Sequence, residues 1–459
     1  MNRKIQICSL VLGIGAFGAG CGDDSGMTTT TTTTTTTLPD MGGVDQGDGC
    51  PASGDVMVMG DITTDTTWAC DSYLLVGKVF VTGNSTLTIE PGTTIYGDTD
   101  GSEVAALIVS SGSQLEAIGT AALPIVFTSG NAVGDRITGD WAGVALLGNA
   151  TLNNGTDTAG VFTDNLEGVD PTDARGIYGG NNDASSCGHL EYVRIEFGGD
   201  EFSTDNELNG LTLAGCGSGT TLSHIQVHRG KDDGIEFFGG TAGMDHVVIS
   251  GATDDSLDWD LGWRGNVQFL VVHQFEGIGD AGFEADNYGA MELATPRSNP
   301  TIFNVTMIGT TTTRGMVLRE GTRATLRNLI ISSFGGEPID LRATTNDLST
   351  EWPTQISIER SFFFGNGAYD DEATVPADND DNGFVEQTNI EDAARNNTVG
   401  TNPMLGSTSS TAPNYVPTNT ALNGQATPPA GFDTAATYAG AFAPNGTNWT
   451  TGWTSFPTN

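Results

Sequence analysis

Short strands that return at a fixed interval constrain this chain more than any other feature. Six segments align as Tyr192-Val193-Arg194-Ile195, His224-Ile225-Gln226-Val227, His246-Val247-Val248-Ile249, Phe269-Leu270-Val271-Val272, Asn304-Val305-Thr306-Met307 and Asn328-Leu329-Ile330-Ile331. The second and fourth residues are always apolar, the first and third mixed, so one face of each strand is buried. Successive second positions lie 32, 22, 23, 35 and 24 residues apart. A base period of 22–24 emerges, lengthened where a loop is inserted. A second short strand falls inside each period, as at Leu211-Thr212-Leu213, Ile235-Glu236-Phe237, Leu257-Asp258-Trp259 and Phe283-Glu284-Ala285. Helical spacing is nearly absent and glycine is abundant, at 64 residues. A β-sandwich accounts for the strands but not for their period, and a helix-containing leucine-rich repeat needs helical segments. The expected fold is therefore all-β, a right-handed parallel β-helix whose coils stack at about 4.8 Å. Ile225, Val247 and Leu270 then form an inward ladder.

The N-terminal half carries the same alternation at Val79-Phe80-Val81, Leu107-Ile108-Val109 and Ile125-Val126-Phe127. Leu87–Ile95, "LTIEPGTTI", resembles the opening coils of pectate-lyase-like right-handed β-helix proteins. "WAGVALLGNA" from Trp141, "KDDGIEFFGG" from Lys231, "DDSLDWDLGWRG" from Asp254 and "YAGAFAPNGTNWTTGWTSF" from Tyr438 resemble a family of functionally uncharacterised bacterial surface lipoproteins built on that helix. The resemblance implies the fold and brings no activity.

Arg3 and Lys4 precede an apolar stretch from Ile5 to Phe17, too short to span a bilayer as a mature helix. Gly18-Ala19-Gly20-Cys21 follows and resembles a lipobox, with Gly18 where leucine is commonest. Cys21 is the expected lipidation site. Ten threonines, Thr28 to Thr37, then lead through acidic, glycine-rich sequence with nothing to bury, the composition of a disordered tether. The expected organisation is a signal peptide over 1–20, a tether over 21–49, the β-helix over 50–405 and a C-terminal cap segment over 406–459, in which Trp449 and Trp453 cover the last coil. An exported, membrane-anchored lipoprotein of the outer membrane or cell surface follows, with the membrane as partner through Cys21. Past the signal and the lipid site, Cys50, Cys70, Cys187 and Cys216 remain. Proximity pairs Cys50 with Cys70 and Cys187 with Cys216 as disulfides. The net charge of −40 repels nucleic-acid phosphates and leaves cations and neutral polymers as partners of a monomer.

Three neighbouring coils carry the strongest chemical signal. Asp232, Asp254 and Asp280 fall 22 and 26 residues apart and should stack. Glu236, Asp258 and Glu284 make a second column, pointing outward because Ile235, Leu257 and Phe283 point in; Asp260 and Asp286 make a third, continued by Arg319 and Arg342. Like charges one coil apart repel. A bound cation, raised pKa values or basic neighbours such as Lys231, Arg229 and Arg264 offset that. Glu236, Asp258, Asp260, Glu284 and Asp286 are the candidate metal ligands and calcium the candidate cofactor.

The catalytic candidates are Asp233, Asp254, Asp255 and Arg264. Lys231-Asp232-Asp233 and Asp254-Asp255 resemble two of the aspartate patterns of polygalacturonases, but Gly279-Asp280-Ala281 lacks the histidine of the third. Asp233 and Asp255, each followed by a small residue, equally suit turn caps that accept backbone N–H bonds. His224 and His246 should stack outward without metal, and Trp263, read as a loop residue, is placed to stack on a sugar ring. Three functions follow: an anchored binding face for polysaccharide assisted by calcium, a polysaccharide lyase or glycoside hydrolase, or a structural or adhesive surface protein.

Overall fold

A computed structural model describes residues 54–101, 103–203, 206–343, 347–369, 381 and 383–459. The expected signal peptide over 1–20, Cys21, the expected tether over 21–49 and Cys50 lie outside the described residues. Within them the chain winds as a right-handed parallel β-helix, with one sheet of sixteen strands and another of ten. A middle coil gives a long strand to the larger sheet, such as Met244–Ser250, and a short one to the smaller, such as Leu257–Asp260. Each pairs in parallel with its counterparts one coil before and after.

The register realises the periodic reading. Val193, Ile225, Val247, Leu270, Val305 and Leu329 lie directly over one another and are buried. Leu211, Ile235, Leu257, Phe283 and Met316 form the facing ladder. Such ladders bury each apolar side chain against its own coil and both neighbours, which is the main driving force for stacking.

The first residue of each aligned segment has a role its type conceals. Tyr192, His224, His246, Phe269, Asn304 and Asn328 all adopt left-handed φ, between 50° and 61°. One left-handed residue breaks the ladder of hydrogen bonds and turns the chain at a corner of the coil. The conformation is unfavourable for most residues. Repetition in every coil lets the corner side chains stack, with ring centroids 4.3 Å apart for Tyr192–His224 and 4.6 Å for His224–His246. In the next coils Gln268 Nε2 donates to Asn304 Oδ1.

Two additions cover the outside. The insertion after Gly143–Leu147 carries a three-stranded antiparallel sheet of Thr156–Thr158, Val161–Asn165 and Ile177–Tyr178. Leu152, Leu166, Val169 and Tyr178 pack on the outward Phe80, Ile108 and Ala145 of the smaller sheet. Cys187, at the end of this insertion, is disulfide-bonded to Cys216. Cys70 is also in a disulfide.

The C-terminal segment forms the second addition. Trp449 and Trp453 do not sit on the last coil, as the sequence suggests; they meet the corner residues His224, His246 and Tyr192 of the middle coils. The segment runs back along the larger sheet as a strap, because outward polar groups there bind its backbone. Asn328 Nδ2 donates to Ala426 O, Asn304 Nδ2 to Tyr438 O, Gln226 Nε2 to Ser455 O and Arg194 Nη1 to Trp453 O. Leu348, Trp352, Phe384 and Ile390, beyond the last full coil, join the main core and close it there.

Leu270→Ala removes the centre of an inward ladder and is expected to cost about 2–5 kcal/mol. Thr221→Ala, at an exposed position, should change stability by no more than about 0.5 kcal/mol. Urea denaturation midpoints of the two variants measure the contrast.

Candidate functional site: an acidic cavity on the smaller sheet

The smaller sheet changes character along its length. The outward column that reads Phe80, Ile108, Ala145 and Thr212 continues as Glu236, Asp258 and Glu284. The insertion covers the apolar part; the acidic part opens into a cavity of about 250 Å³. Nine carboxylates line it, those of Glu167, Glu207, Asp232, Asp233, Glu236, Asp254, Asp255, Asp258 and Glu284, together with Phe238.

Stacking sets this geometry. Asp254 N donates to Asp232 O at 3.2 Å and Asp280 N to Asp254 O at 2.9 Å, so the first acidic column stands in register. Asp233 Oδ1 accepts from Asp255 N at 2.9 Å, and Asp255 Oδ1 accepts from Ala281 N at 2.5 Å. These two aspartates therefore cap the next coil's backbone while their carboxyls face the cavity. The glycine after Asp233 is equally local in origin: a Cβ on Gly234 would collide with Ile249 Cγ2.

The second column leaves the core as expected, but its carboxylates are half-buried rather than freely solvated. Asn209 Nδ2 donates to Glu236 Oε2 at 2.5 Å. Asp258 Oδ1 is fully buried and has no hydrogen-bond partner among the described residues. Burial first, then the neighbouring carboxylates, pushes Asp233, Glu236, Asp255 and Asp258 well above the ordinary carboxylate range. Burial with the charges of Glu207 and Asp254 raises Asp232 to about 7. Burial raises Glu284 to about 7 in spite of Arg319.

Other candidates lie elsewhere. Arg264 does not join Asp233, Asp254 and Asp255. It follows the far end of Leu257–Asp260, a strand length away, and its Nη2 pairs with Asp183 at 3.2 Å. Asp260 and Asp286 stack as the third column but do not line the cavity; Asp260 Oδ1 accepts from Leu261 N, and Asp286 pairs with Arg319 at 2.9 Å. Lys231 is paired with Asp200, and Arg229 Nε donates to Pro457 O. Trp263 is buried in the core, stacked at 4.1 Å on Phe237, with its indole N–H on Ala242 O. It has no face for a sugar. Glu167 and Glu207, absent from the periodic reading, come from inserted segments, where spacing carries no information about position.

Residues 60–454 match the pectate-lyase like beta helix domain family. The chain belongs to this family. No curated protein matches it. Among solved structures, the crystal structure of Dettilon tailspike protein (gp208) is similar at 10% identity, over 66% of this chain and 55% of that one, with a TM-score of 0.22. At that score the likeness carries no argument here.

On this β-helix the arginine that pairs with the cavity's Glu284 is held charged. Burial alone would lower the pKa of Arg319, but Asp286 and Glu284 outweigh it and keep the guanidinium above its usual value. Arg319 is thus unsuited to take a proton from a substrate. His224 and His246 stand with Asp245 nearby, yet their rings are parallel within 4°. An ion bound in the plane of both rings would need one of them to leave the stack. Their contacts are those of a packing column.

Asp232 and Glu284 keep protons up to about pH 7 in the folded chain, whereas unfolded carboxyls lose them near about pH 4. At these two groups the folded state therefore binds more protons between those values, and their contribution to stability falls as pH rises through that window. His224, His228 and His273, lowered by burial to about 4, act in the opposite direction, so the comparison is made between variants: in EDTA, Asp232→Asn should gain melting temperature relative to the parent from pH 5 to pH 8. A variant that loses ground to the parent across that range would contradict the assignment.

Proposed function

We propose that the chain is a cation-dependent binding protein. Its acidic cavity takes a divalent cation, calcium before others, and the cation bridges to an anionic polysaccharide of uronic-acid type. The observation that carries this reading is Asp258 Oδ1, buried and without a hydrogen-bond partner among the described residues, in a cavity ringed by nine carboxylates. An ionised oxygen so placed is costly unless a cation or a proton satisfies it. Asp233, Glu236 and Asp258 each offer an oxygen within 4.8 Å of the others, as do Asp232, Asp233 and Asp254. Multiple hard oxygen donors in an irregular arrangement suit calcium better than magnesium, which demands near-octahedral geometry.

The bridging step follows from charge. A chain of net charge −40 repels a polyuronate unless a cation stands between them. The Cys21 lipid and threonine-rich tether would hold the binding face off the membrane of an exported, surface-anchored protein. A hydrolase is the second reading, favoured by Asp232 and Glu284 near 7, since an acid–base carboxyl works best with a pKa near the operating pH.

Calcium titration of the purified protein by calorimetry and by melting temperature tests the proposal. We expect a site in the range of about 10⁻⁴–10⁻³ M, as in extracellular modules, with a raised melting temperature at pH 8. Asp258→Asn should weaken binding at least tenfold. Absence of any calcium response would reject the reading. Hydrolysis of polygalacturonate in EDTA, lost in Asp232→Asn, would favour the hydrolase.

A further inference from the structure

A larger cavity, about 440 Å³, lies on the other side of the helix, between the coil corners and the strap. Three successive coils and residues Gly431, Phe432 and Asp433 build it. Leu222, Met244, Phe269 and Phe432 supply apolar walls, while Thr221, Asp245, Asn266 and Asp433 supply hydroxyl, amide and carboxylate groups.

The walls are held in place. Asp245 Oδ1 accepts from Ser223 Oγ at 2.8 Å and lies 2.6 Å from His246 Nδ1. Burial raises the Asp245 pKa, but these two hydrogen bonds outweigh it and keep the carboxyl ionised. Its side chain is still 49% exposed. On the strap side, Asp433 N donates to Gln268 Oε1 at 2.7 Å, and Gln268 Nε2 donates to Asp433 O. Phe432 packs on Phe303 with centroids 5.4 Å apart. The cavity therefore exists only while the strap is docked.

The lining selects its ligand class. Two carboxylates and no lysine or arginine disfavour an anion. A bare cation gains nothing from the apolar walls. A pyranose presents an apolar C–H face and a rim of hydroxyls, the combination found here, and the volume lies within the range of about 300–1,000 Å³ typical of ligand sites. We propose that this cavity binds one or two units of an uncharged glycan, independently of the acidic cavity and without calcium.

The test is a panel of neutral and anionic oligosaccharides titrated against the full chain in EDTA and again in calcium, with binding read by calorimetry. The expected result is millimolar-or-tighter binding of a neutral member. Asp245→Ala should weaken it at least tenfold and Asn266→Ala, at an exposed position, several-fold. Three outcomes overturn the proposal: no neutral member binds, binding requires calcium, or both variants bind as the parent does. Binding confined to anionic members in calcium would support the acidic cavity alone, so the two readings fail separately.

Discussion

Parallel pairing of each coil with the next, at about 4.8 Å, is the constraint on which the rest of this molecule depends. It places residues 22–24 positions apart on top of one another, whatever their chemistry. Inside, that brings Val247 under Leu270 and Ile235 under Leu257. At the corners it brings His224 against His246. On the outside of the smaller sheet it brings Glu236, Asp258 and Glu284 together. The first two arrangements stabilise the stack. The third opposes it, since like charges one coil apart repel.

The fold tolerates that opposition locally. Asp233 and Asp255 turn carboxylates toward backbone N–H groups, Asn209 donates to Glu236, and Arg319 neutralises Glu284 and Asp286 at one end of the cluster. Among the described residues Asp258 Oδ1 receives none of these. A site retained against the preference of its own scaffold is where function is expected to reside, and the residual frustration is of a kind that protons or a cation relieve.

Much of this was legible before any coordinates. Period-two alternation identified the inward ladders, and the intervals between aspartates identified the acidic columns, because stacking converts sequence distance into position. The reading failed where that conversion does not apply. Trp263 looked like a loop residue because it follows Leu257–Asp260, yet its ring packs on Phe237 of the preceding coil. Arg264 looked close to Asp254 in sequence but lies beyond the intervening strand. Glu167 reaches the cavity from an insertion whose path no period encodes.

By itself the sequence determined the helical stack, its ladders and the existence of the acidic columns, because these follow from periodicity and local hydrogen bonding. Tertiary structure alone decided how deeply the carboxylates are buried, which of them share a cavity and where the strap lies. Those depend on segments remote in the chain meeting one surface, as when Trp453 covers His224 and Tyr178 packs against Phe238. Burial strength and pKa follow from that covering rather than from residue type, so the chemistry of the site belongs to the assembled surface.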